Sequence, residues 1–434
     1  MCCLSHIPMI DINLIRDSPD IVKNNIKKRF QKEKLPLVDK IKTLDTTWRK
    51  LKQQIDKLRQ QRNNISKEIS EFKKQNKNTE KLLKKAKTIP DKIAKIEEKN
   101  KDIKAQITDM LLKIPSIIHK SVPIGKDEKD NAENEKIGKI PKFSFNIKNH
   151  AELIEELNIA DFDISAKTSG NGFYFLKGDL ALLNQALINY ARDFMTEKGY
   201  EYIEPPLIIR KNILSGVYSN EEIEQMAYKL EDEDLYLIAT SEHPLIGLFI
   251  DKTLNHKQLP IKITGYSMCF RKEIGSHGID EKGLYRTHQF NKQEMIIICK
   301  PEDSYKYYNE LLSLSKQLFK KLKIPIRELE SCSGDLSDLK SKGADLESWS
   351  PRQEKYFEIT SVTNMETAQA RRLNIKYLDE KNNRRFVHTL NNTAIATSRA
   401  LNAILENYQQ KNRARKIPDV RKPCVTGKKL IEKR

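Results

Sequence analysis

Several charged side chains lie in segments whose apolar pattern is that of β-strands, which could bring them together in one pocket. The first segment, 269–295, contains Arg271 and Arg286 on either side of a loop rich in glycine and charge. Two guanidinium groups on adjacent antiparallel strands could bind a triphosphate through paired hydrogen bonds. Phe290, further along, could stack on a purine ring. The alternative is an ordinary charged hairpin with both arginines on the surface.

Two further segments carry groups of the same kind. In 355–364 (KYFEITSVTN), Glu358 could bind Mg²⁺ through its carboxylate, and Ser361 could hold a phosphate or a metal-bound water. In 388–407, a strand of small residues leads into a helix, and Arg399 near the helix start could bind a phosphate. Both segments also fit a structural interpretation: a strand with a solvent-facing glutamate, and a helix packed on a sheet.

Glycine-rich phosphate loops are absent from the sequence, which contains neither G-x-x-x-x-G-K-[ST] nor G-x-G-x-x-G. Such loops hold phosphates with backbone amides. A nucleotide-binding protein without them must use side chains, which is the chemistry that the three segments offer.

An antiparallel coiled-coil hairpin is predicted ahead of these segments. Apolar residues recur at spacings of three and four in two series, which are separated by the polar run KKQNKNTE at 73–80. The first series is Ile41, Leu44, Trp48, Leu51, Ile55, Leu58, Ile65, Ile69 and Phe72, and the second is Ala86, Ile89, Ile93, Ile96, Ile103, Ile107, Met110 and Ile114. We expect helices over about 37–73 and 81–114. Basic residues outnumber acidic ones there, which fits either an RNA-binding arm or a solvated surface.

The rest of the chain predicts a second domain. Polar residues over 126–142 are typical of a linker, whereas 143–434 has a globular composition. Helical patterns such as Asp179–Lys198 mix there with apolar strands such as Lys262–Phe270 and Glu294–Cys299. Because strands and helices do not alternate regularly, we predict an α+β body with an antiparallel sheet flanked by helices. The N-terminal domain is assigned to 1–125.

Charge and cysteine content narrow the class of protein. The formal net charge is +19, which favours a polyanionic partner such as nucleic acid, although a lysine-rich surface would look the same. The six cysteines are irregularly spaced and form no C-x-x-C pair, so neither a disulfide framework nor a structural zinc site is expected. The sequence has no apolar run of the length that a membrane span needs.

Together the segments resemble the signature motifs of class II aminoacyl-tRNA synthetases, and in detail those of the seryl-tRNA synthetase family. FRKEIG through GLYRTHQFNKQEM (270–295) is very like that family's motif 2, and LIATSEHPL (237–245) is like its T-x-E motif. DLESW (345–349), YFEITSVTN with AQARR, and HTLNNTAIATSRALNAILENYQ follow in the family's order. The resemblance implies that 1–125 is a tRNA-binding domain and 143–434 the class II catalytic domain.

The resemblance also implies roles in ATP binding. Arg271 would bridge the α-phosphate and the amino-acid carboxylate, and Glu273 would contact the adenine amino group. Phe290 and Arg399 would enclose the adenine ring, with Arg286 and Arg399 toward the γ-phosphate. Glu358 and Ser361 would hold Mg²⁺, and Arg271, Glu358 and Arg399 are the predicted catalytic residues. The remaining predicted ATP contacts are Lys272, Thr287, His288, Gln289, Ile359 and Thr360.

Serine recognition is implied at a second set of positions. These are Thr240, Ser241, Glu242, Arg271, Glu294, Asn391 and Thr393. Glu294 is expected to contact both the ammonium and the hydroxyl group of serine. One departure concerns motif 3, where many relatives carry Asn-Gly-Ser-Gly and this chain has Asn391-Asn-Thr-Ala. Thr393 keeps the hydroxyl group of the motif. The lost glycines affect how closely the backbone and a ligand can approach each other.

The expected activity is therefore that of an ATP-dependent serine–tRNA ligase. It would form seryl-adenylate from L-serine, release pyrophosphate, and transfer serine to the 3′ end of tRNA(Ser), and to the selenocysteine tRNA where one exists. The family also implies ATP and Mg²⁺ as cofactors, a cytoplasmic homodimer with tRNA bound across the subunits, and contact between the coiled-coil arm and tRNA. Two alternatives stay open: a paralogue that charges a different carrier, and an inactive coiled-coil scaffold.

Overall fold

The computed structural model describes residues 10–218, 220–273, 283–411, 415–416, 418 and 430–431. The chain divides into two compact units between Ile117 and Ile118. In the described residues, the first unit is built from helices, and the second combines a large β-sheet with helices that pack on it.

The first unit contains a helical hairpin preceded by two short helices. They are α1 (Ile12–Asp17), α2 (Pro19–Lys28), α3 (Leu35–Lys74) and α4 (Glu80–Leu111). Proline lies in the first turn of both α2 and α3, where no backbone N–H is needed for the helix. The polar residues 75–79 separate α3 from α4, as the sequence predicts.

A seam of isoleucine joins α3 and α4 in antiparallel orientation. Toward the turn, Ile55 of α3 and Ile89 and Ile93 of α4 belong to one apolar cluster, which Ile65 and Ile96 extend. Far from the turn, Ile41 packs with Ile107. The coiled-coil hairpin is therefore confirmed. Its helices begin and end within three residues of the predicted positions, as expected for helix ends, which periodicity fixes poorly.

A buried aspartate fastens the short helices to the hairpin. The Asp45 side chain of α3 is 2 % exposed and accepts two hydrogen bonds from Arg16 of α1, at 2.7 and 2.8 Å. It also forms an ion pair with Arg49 at 3.0 Å. Ile15 and Val22 cover the adjoining face of α3 at Val38 and Ile41. A carboxylate this deeply buried is tolerated because two guanidinium groups neutralise it.

The second unit contains the remaining helices and the described strands. The helices are α5 (His150–Leu157), α6 (Asp163–Ser169), α7 (Gly178–Glu197), α8 (Lys211–Val217), α9 (Asn220–Met226), α10 (Glu242–Gly247), α11 (Ser304–Lys321), α12 (Ala368–Arg372) and α13 (Thr397–Asn407). The strands are β1 (Ala132–Ile137), β2 (Ala160–Asp161), β3 (Phe175–Leu176), β4 (Glu201–Tyr202), β5 (Ile208–Arg210), β6 (Leu235–Leu237), β7 (Thr253–Asn255), β8 (Ile261–Phe270), β9 (Gln289–Cys299), β10 (Ile326–Glu330), β11 (Lys342–Ser350), β12 (Lys355–Glu366), β13 (Lys376–Leu378), β14 (Arg384–Phe386), β15 (His388–Ala396), β16 (Arg415–Lys416) and β17 (Leu430–Ile431).

Eight of the described strands form one sheet in the order β1-β10-β11-β12-β15-β9-β8-β4. Every neighbouring pair is antiparallel except β4 and β8, which are parallel. The two faces of β9 pack into different cores. Met295 and Ile297 face α7, α11 and α13, whereas Ile296 and Ile298 face the smaller core around α8, α10 and α12. Since side chains alternate along a strand, Phe290, Lys292 and Glu294 share the second face.

Residues 126–142, predicted as a linker, contribute an edge strand instead. Strand β1 pairs with β10, with Ala132 opposite Glu330 and Ile137 opposite Ile326. Four of its six residues are exposed, so the segment lacks the apolar alternation by which a half-buried strand is recognised. The exact domain boundaries stay predictions.

Among the described residues, no helix is both long enough and apolar enough to cross a membrane. The longest, α3, has 40 residues, but it presents charged side chains along most of its surface.

The buried charge cluster at Asp45 leads to a stability prediction. We expect Asp45→Asn to destabilise the packing of α1 by roughly 2 kcal/mol, because two guanidinium groups lose their counterion. Hydrogen exchange of the α1 amides in the full-length chain should then accelerate roughly thirtyfold.

Asp39→Asn is the matched control, since Asp39 of α3 also forms an ion pair, with Lys23 at 2.7 Å, but is 65 % exposed. It should change exchange by less than about threefold. Equal effects of the two substitutions on exchange would show that the burial of Asp45 does not stabilise the packing of α1.

Candidate active site

Glu294 on β9 lies at the centre of the site. It is opposite Gly265 of β8 and Thr393 of β15, in the middle of the sheet. A Cβ atom at Gly265 would be 2.8 Å from the carbonyl oxygen of Ile203, so a glycine is needed for the chain to pass this closely. The Glu294 side chain is 3 % exposed.

The two carboxylate oxygens of Glu294 differ in their surroundings. Oε1 accepts hydrogen bonds from the hydroxyls of Thr240 at 3.2 Å and Thr393 at 3.3 Å, and it forms an ion pair with Lys292. Oε2 is buried and has no hydrogen-bond partner among the described residues. A buried acceptor without a donor is costly, so Oε2 is suited to receive a donor from a bound molecule.

A second, half-buried carboxylate lies beside the first. Oε1 of Glu242, at the start of α10, accepts hydrogen bonds from Nδ2 of Asn391 at 2.6 Å and from Nε2 of Gln369 at 2.8 Å. The hydroxyl of Thr389 in turn donates to Oε1 of Gln369 at 2.6 Å. Burial, and then the charge of Glu294, raise the pKa of Glu242. Two carboxylates this close form a site for a cationic group.

Arg271 lies where β8 ends. Its backbone N–H donates to the carbonyl of His288 at 2.9 Å, and its Nε donates to the carbonyl of Ala239 at 3.3 Å. Its guanidinium carbon is 5.1 Å from the centre of the Phe290 ring. These contacts hold the planar cation next to an aromatic face, an arrangement that suits a phosphate and a purine base together.

Arg399 and Glu358 form an ion pair at the other end of the site. Arg399, in the first turn of α13, donates to Glu358 of β12 at 2.8 Å and lies 5.6 Å from the ring centre of Tyr285. Burial acts to raise the pKa of Glu358, but the Arg399 charge and hydrogen bond outweigh it, so the pKa is lowered. The carboxylate is thus ionised at neutral pH and paired with a cation.

Asp345 of β11 adds a carboxylate beside this pair. It lies opposite Ser361 in the strand register and is hydrogen-bonded to that side chain. Burial, and then the charge of Glu358, raise the pKa of Asp345 to about 6. Two carboxylates and a hydroxyl on neighbouring strands are hard oxygen donors of the type that Mg²⁺ prefers.

Most of these groups line one cavity of about 410 Å³. Asp345 instead lines an adjoining pocket, which shares Glu358 with that cavity. The first cavity contains most of the residues that the sequence analysis selects, which come from segments up to 157 positions apart in the sequence. They are Glu242, Arg271, Glu273, Arg286, Thr287, Phe290, Glu294, Glu358, Ile359, Thr360, Ser361, Asn391, Thr393 and Arg399.

Five selected residues do not line the cavity but pack around it. Thr240 bonds to Glu294 as described, and the buried hydroxyl of Ser241 donates to the Gly265 carbonyl at 2.8 Å. Lys272 extends toward the Glu224 carbonyl at 3.4 Å. The His288 ring contacts the Arg271 carbonyl at 2.9 Å. The Gln289 side chain donates to the Met268 sulfur at 3.7 Å. Part of the motif 2 loop, 274–282, lies outside the described residues.

Lys292, Asp345 and Gln369 contribute to the site, although the sequence did not single them out. Lys292 lies two positions before Glu294, so strand alternation alone could have placed it on the same face. Asp345 begins the DLESW motif, and only the pairing of β11 with β12 brings it to Glu358. Gln369 follows β12 on α12, and no local pattern indicates that it would bond to Glu242.

Comparison with known families and proteins identifies this arrangement. Residues 9–118 match the model of the seryl-tRNA synthetase N-terminal domain, and residues 228–408 match that of the tRNA synthetase class II core domain (G, H, P, S and T). The serine–tRNA ligase of Methanospirillum hungatei is 42 % identical over 425 residues, covering 98 % of this chain and 100 % of that protein. The chain belongs to the seryl-tRNA synthetase family. The serine–tRNA ligase of Pyrococcus horikoshii is 41 % identical over 433 residues, with 95 % of each chain covered.

Solved structures of the family have the same fold. The crystal structure of the Pyrococcus horikoshii seryl-tRNA synthetase complexed with ATP superposes with a TM-score of 0.94 at 40 % identity, covering 98 % of this chain and 100 % of that one. The cytoplasmic serine–tRNA ligase of Naegleria fowleri in complex with AMP gives 0.89 at 32 % identity, covering 99 % and 100 %. The predicted family, α+β fold class and enzyme class are confirmed, while the roles of individual residues stay predictions.

The hydrogen bonds of Glu242 lead to a prediction about Gln369. We expect Gln369→Leu to raise the KM for serine roughly tenfold in serine-dependent ATP–pyrophosphate exchange, because Glu242 loses a donor and Thr389 an acceptor. The KM for ATP should change less than about twofold, since Gln369 does not contact the nucleotide end of the cavity.

Gln317→Leu is the matched control, because Gln317 is a half-buried glutamine of α11 that donates to Ser313 outside the cavity. It should leave both KM values unchanged. Equal increases in both KM values for Gln369→Leu would indicate general damage to the fold rather than loss of this contact.

Proposed function

We propose that this cavity joins serine to ATP and that the chain then transfers the seryl group to the 3′ end of tRNA(Ser). The observation that carries the proposal is that the two ends of one cavity are lined by different chemical groups. Its inner end holds the buried carboxylate of Glu294 and the half-buried carboxylate of Glu242, with hydroxyl and amide groups. Its outer end holds two arginines, an aromatic ring and further carboxylates, and a third arginine, Arg271, lies between the two ends. The first end suits a small hydroxylated ammonium compound, and the second suits a nucleoside triphosphate.

Serine is recognised at the inner end. The Oε2 atom of Glu294 accepts from its ammonium or hydroxyl group, with Thr240 and Thr393 fixing the carboxylate. Glu242 and Asn391 complete the polar lining, and Ser241 supports it from behind. Alanine is rejected because it would leave these buried groups unpaired, whereas threonine is excluded by the size of the pocket.

ATP binds at the outer end. Phe290 and Arg399 enclose the adenine, Glu273 contacts its amino group, and Arg286 extends toward the γ-phosphate. The remaining contacts come from Lys272, Thr287, His288, Gln289, Ile359 and Thr360. Since Arg399 pairs with Glu358 at 2.8 Å, nucleotide binding exchanges that ion pair for contacts to phosphate and base.

Serine activation requires no general base, because the carboxylate of serine is already a nucleophile. Arg271 lies between the two ends and holds the serine carboxylate against the α-phosphate while neutralising the charge that develops there. Pyrophosphate leaves toward Arg286 and Arg399. Catalysis then consists of positioning and electrostatic stabilisation.

Glu358 and Ser361 would hold Mg²⁺ together with ATP, and Asp345 would join them. The fit rests on the carboxylate pair itself, in which the Glu358 charge helps to raise the pKa of Asp345 to about 6. A divalent cation would relieve that repulsion, and Mg²⁺ would also neutralise the phosphate oxygens.

The hairpin of α3 and α4 binds tRNA. The two helices contain 20 Lys and Arg residues and 11 Asp and Glu residues, an excess that suits contact with a phosphate backbone. The arm recognises the shape of tRNA(Ser), and of a selenocysteine tRNA where one exists, more than its base sequence.

A homodimer places one tRNA across two subunits. Large apolar side chains are exposed on α7 at Leu182 and beside Pro205-Pro206 at Leu207 and Ile208, each about 40 % exposed, which suits a contact with a second copy.

The buried free cysteines Cys269, Cys299 and Cys332 suit the reducing cytoplasm, the compartment that we propose for the enzyme.

The decisive test of substrate and reaction is amino-acid-dependent ATP–pyrophosphate exchange, measured with each of the twenty amino acids. Serine alone should support rapid exchange, and Glu294→Gln should lower the serine-dependent rate at least roughly a hundredfold because a charged acceptor is lost. Glu310→Gln is the control, since Glu310 pairs with Lys262 outside the cavity. A preference for another amino acid would refute serine specificity, and absence of exchange would indicate a scaffold.

A shortened arm tests the division between the two units. Arg59 and Glu97 pair at 2.7 Å across α3 and α4, so residues 60–96 can be replaced by a short glycine-serine turn without breaking the register. Serine-dependent exchange should stay within about twofold, while tRNA(Ser) charging should fall at least roughly a hundredfold. Full charging by the shortened protein would refute a role for the arm, and charging of a different carrier would support a paralogue.

A further inference from the structure

Lys292 forms a buried ion pair inside the cavity, and the mechanism above does not use it. Its side chain is 9 % exposed and pairs with Oε1 of Glu294, which is 3 % exposed. The two residues are two positions apart on β9, so both point into the cavity from the same face of the strand.

The ammonium group of Lys292 competes with a bound ammonium for the same carboxylate. Glu294 is the acceptor that the proposed function assigns to serine, and Lys292 already neutralises its charge. Two ammonium groups against one buried carboxylate repel each other, and the low polarity of the site strengthens the repulsion. Glu242 relieves this only in part, because its Oε1 atom is engaged by Gln369 and Asn391.

Lys292 lines the same cavity as Arg271, the residue to which the proposed function assigns the serine carboxylate and the α-phosphate. Burial, and then the charges of Lys292 and Arg271, hold the pKa of His243 well below its usual value, so the two cations act on the same region. Lys292 is opposite Ser267 on β8, four residues before Arg271. A lysine side chain has four rotatable carbon bonds and can turn from one anion to another without moving its strand.

We propose that Lys292 is a positioning residue that neutralises Glu294 until serine binds and then turns to the reacting carboxylate and α-phosphate. This inference rests on the proposed function. The exchange of partners keeps every buried charge neutralised at each stage. It also couples the substrates, because ATP supplies the anion that draws Lys292 away from Glu294 and so frees Glu294 for the ammonium of serine.

The coupling is measurable as the effect of an ATP analogue on serine affinity. Serine is titrated calorimetrically into the full-length protein with and without Mg²⁺ and α,β-methylene-ATP. We expect the analogue to lower the Kd of serine at least fivefold in the unmodified protein. In Lys292→Met, the coupling should fall below twofold, serine alone should bind as tightly or more tightly, and kcat for exchange should fall at least a hundredfold.

Two partial analogues of serine separate competition from simple support of the fold. Ethanolamine has the ammonium and hydroxyl groups of serine, and 3-hydroxypropanoate has the carboxylate and hydroxyl groups. We expect Lys292→Met to improve inhibition by ethanolamine at least threefold and to weaken inhibition by 3-hydroxypropanoate at least threefold. A residue that merely supports the pocket would weaken both, and that result would overturn the proposal.

Two further variants control for folding. Lys262→Met removes a half-buried lysine that pairs with Glu310 at 2.7 Å outside the cavity, and it should leave the coupling unchanged. Lys292→Arg keeps a cation and covers the case in which Lys292→Met does not fold. Because its guanidinium binds a carboxylate with two hydrogen bonds, serine alone should bind at least fivefold more weakly, and unchanged affinity would contradict the proposal.

The outcomes also distinguish this inference from the proposed function. Absence of serine binding or of serine-dependent exchange in the unmodified protein would refute the proposed function itself. Normal exchange in the unmodified protein, with intact coupling in Lys292→Met, would refute only the role of Lys292.

Discussion

The catalytic unit is organised around one buried negative charge. Glu294 lies in the centre of an eight-stranded sheet, where an ionised carboxylate is stable only if donors surround it. Thr240, Thr393 and Lys292 meet that requirement at one oxygen and leave the other without a donor among the described residues. The energetic cost of that unmet acceptor is the physical basis of its affinity for a small molecule that brings a donor.

Opposite charges are held against one another throughout the cavity. Arg399 is paired with Glu358, and Lys292 with Glu294, so two of the groups that we assign to substrates already have a charged partner. Substrate binding therefore exchanges ion pairs rather than burying new charge, which lowers the desolvation cost of binding a polyanion. The rigid sheet fixes the distance between the two ends, and positioning of this kind is what a reaction with an already ionised nucleophile needs.

The hairpin depends on a different physical principle. Its helices are too polar to be stable alone and are held together by a narrow seam of isoleucine, which leaves most of their surface free for lysine and arginine. That surface can bind a polyanion without altering the seam. Asp45 adds a buried charge at the base, where two arginines make a unique arrangement of α1 against α3 favourable.

The sequence by itself determined the hairpin, the α+β class and most of the selected residues that line the cavity. A seam that repeats every three or four residues and short apolar runs are local signals, and they placed α3, α4 and β8 close to their observed bounds. Strand β9 begins at Gln289, five residues before the predicted start, because its first residues are mostly polar. The sequence did not reveal β1, because an edge strand exposed on both faces carries no apolar alternation. Tertiary structure alone decided that Asp345 meets Ser361 and that Gln369 meets Glu242. Strand register and chain turns bring such residues together, and neither leaves a trace in the order of neighbouring residues.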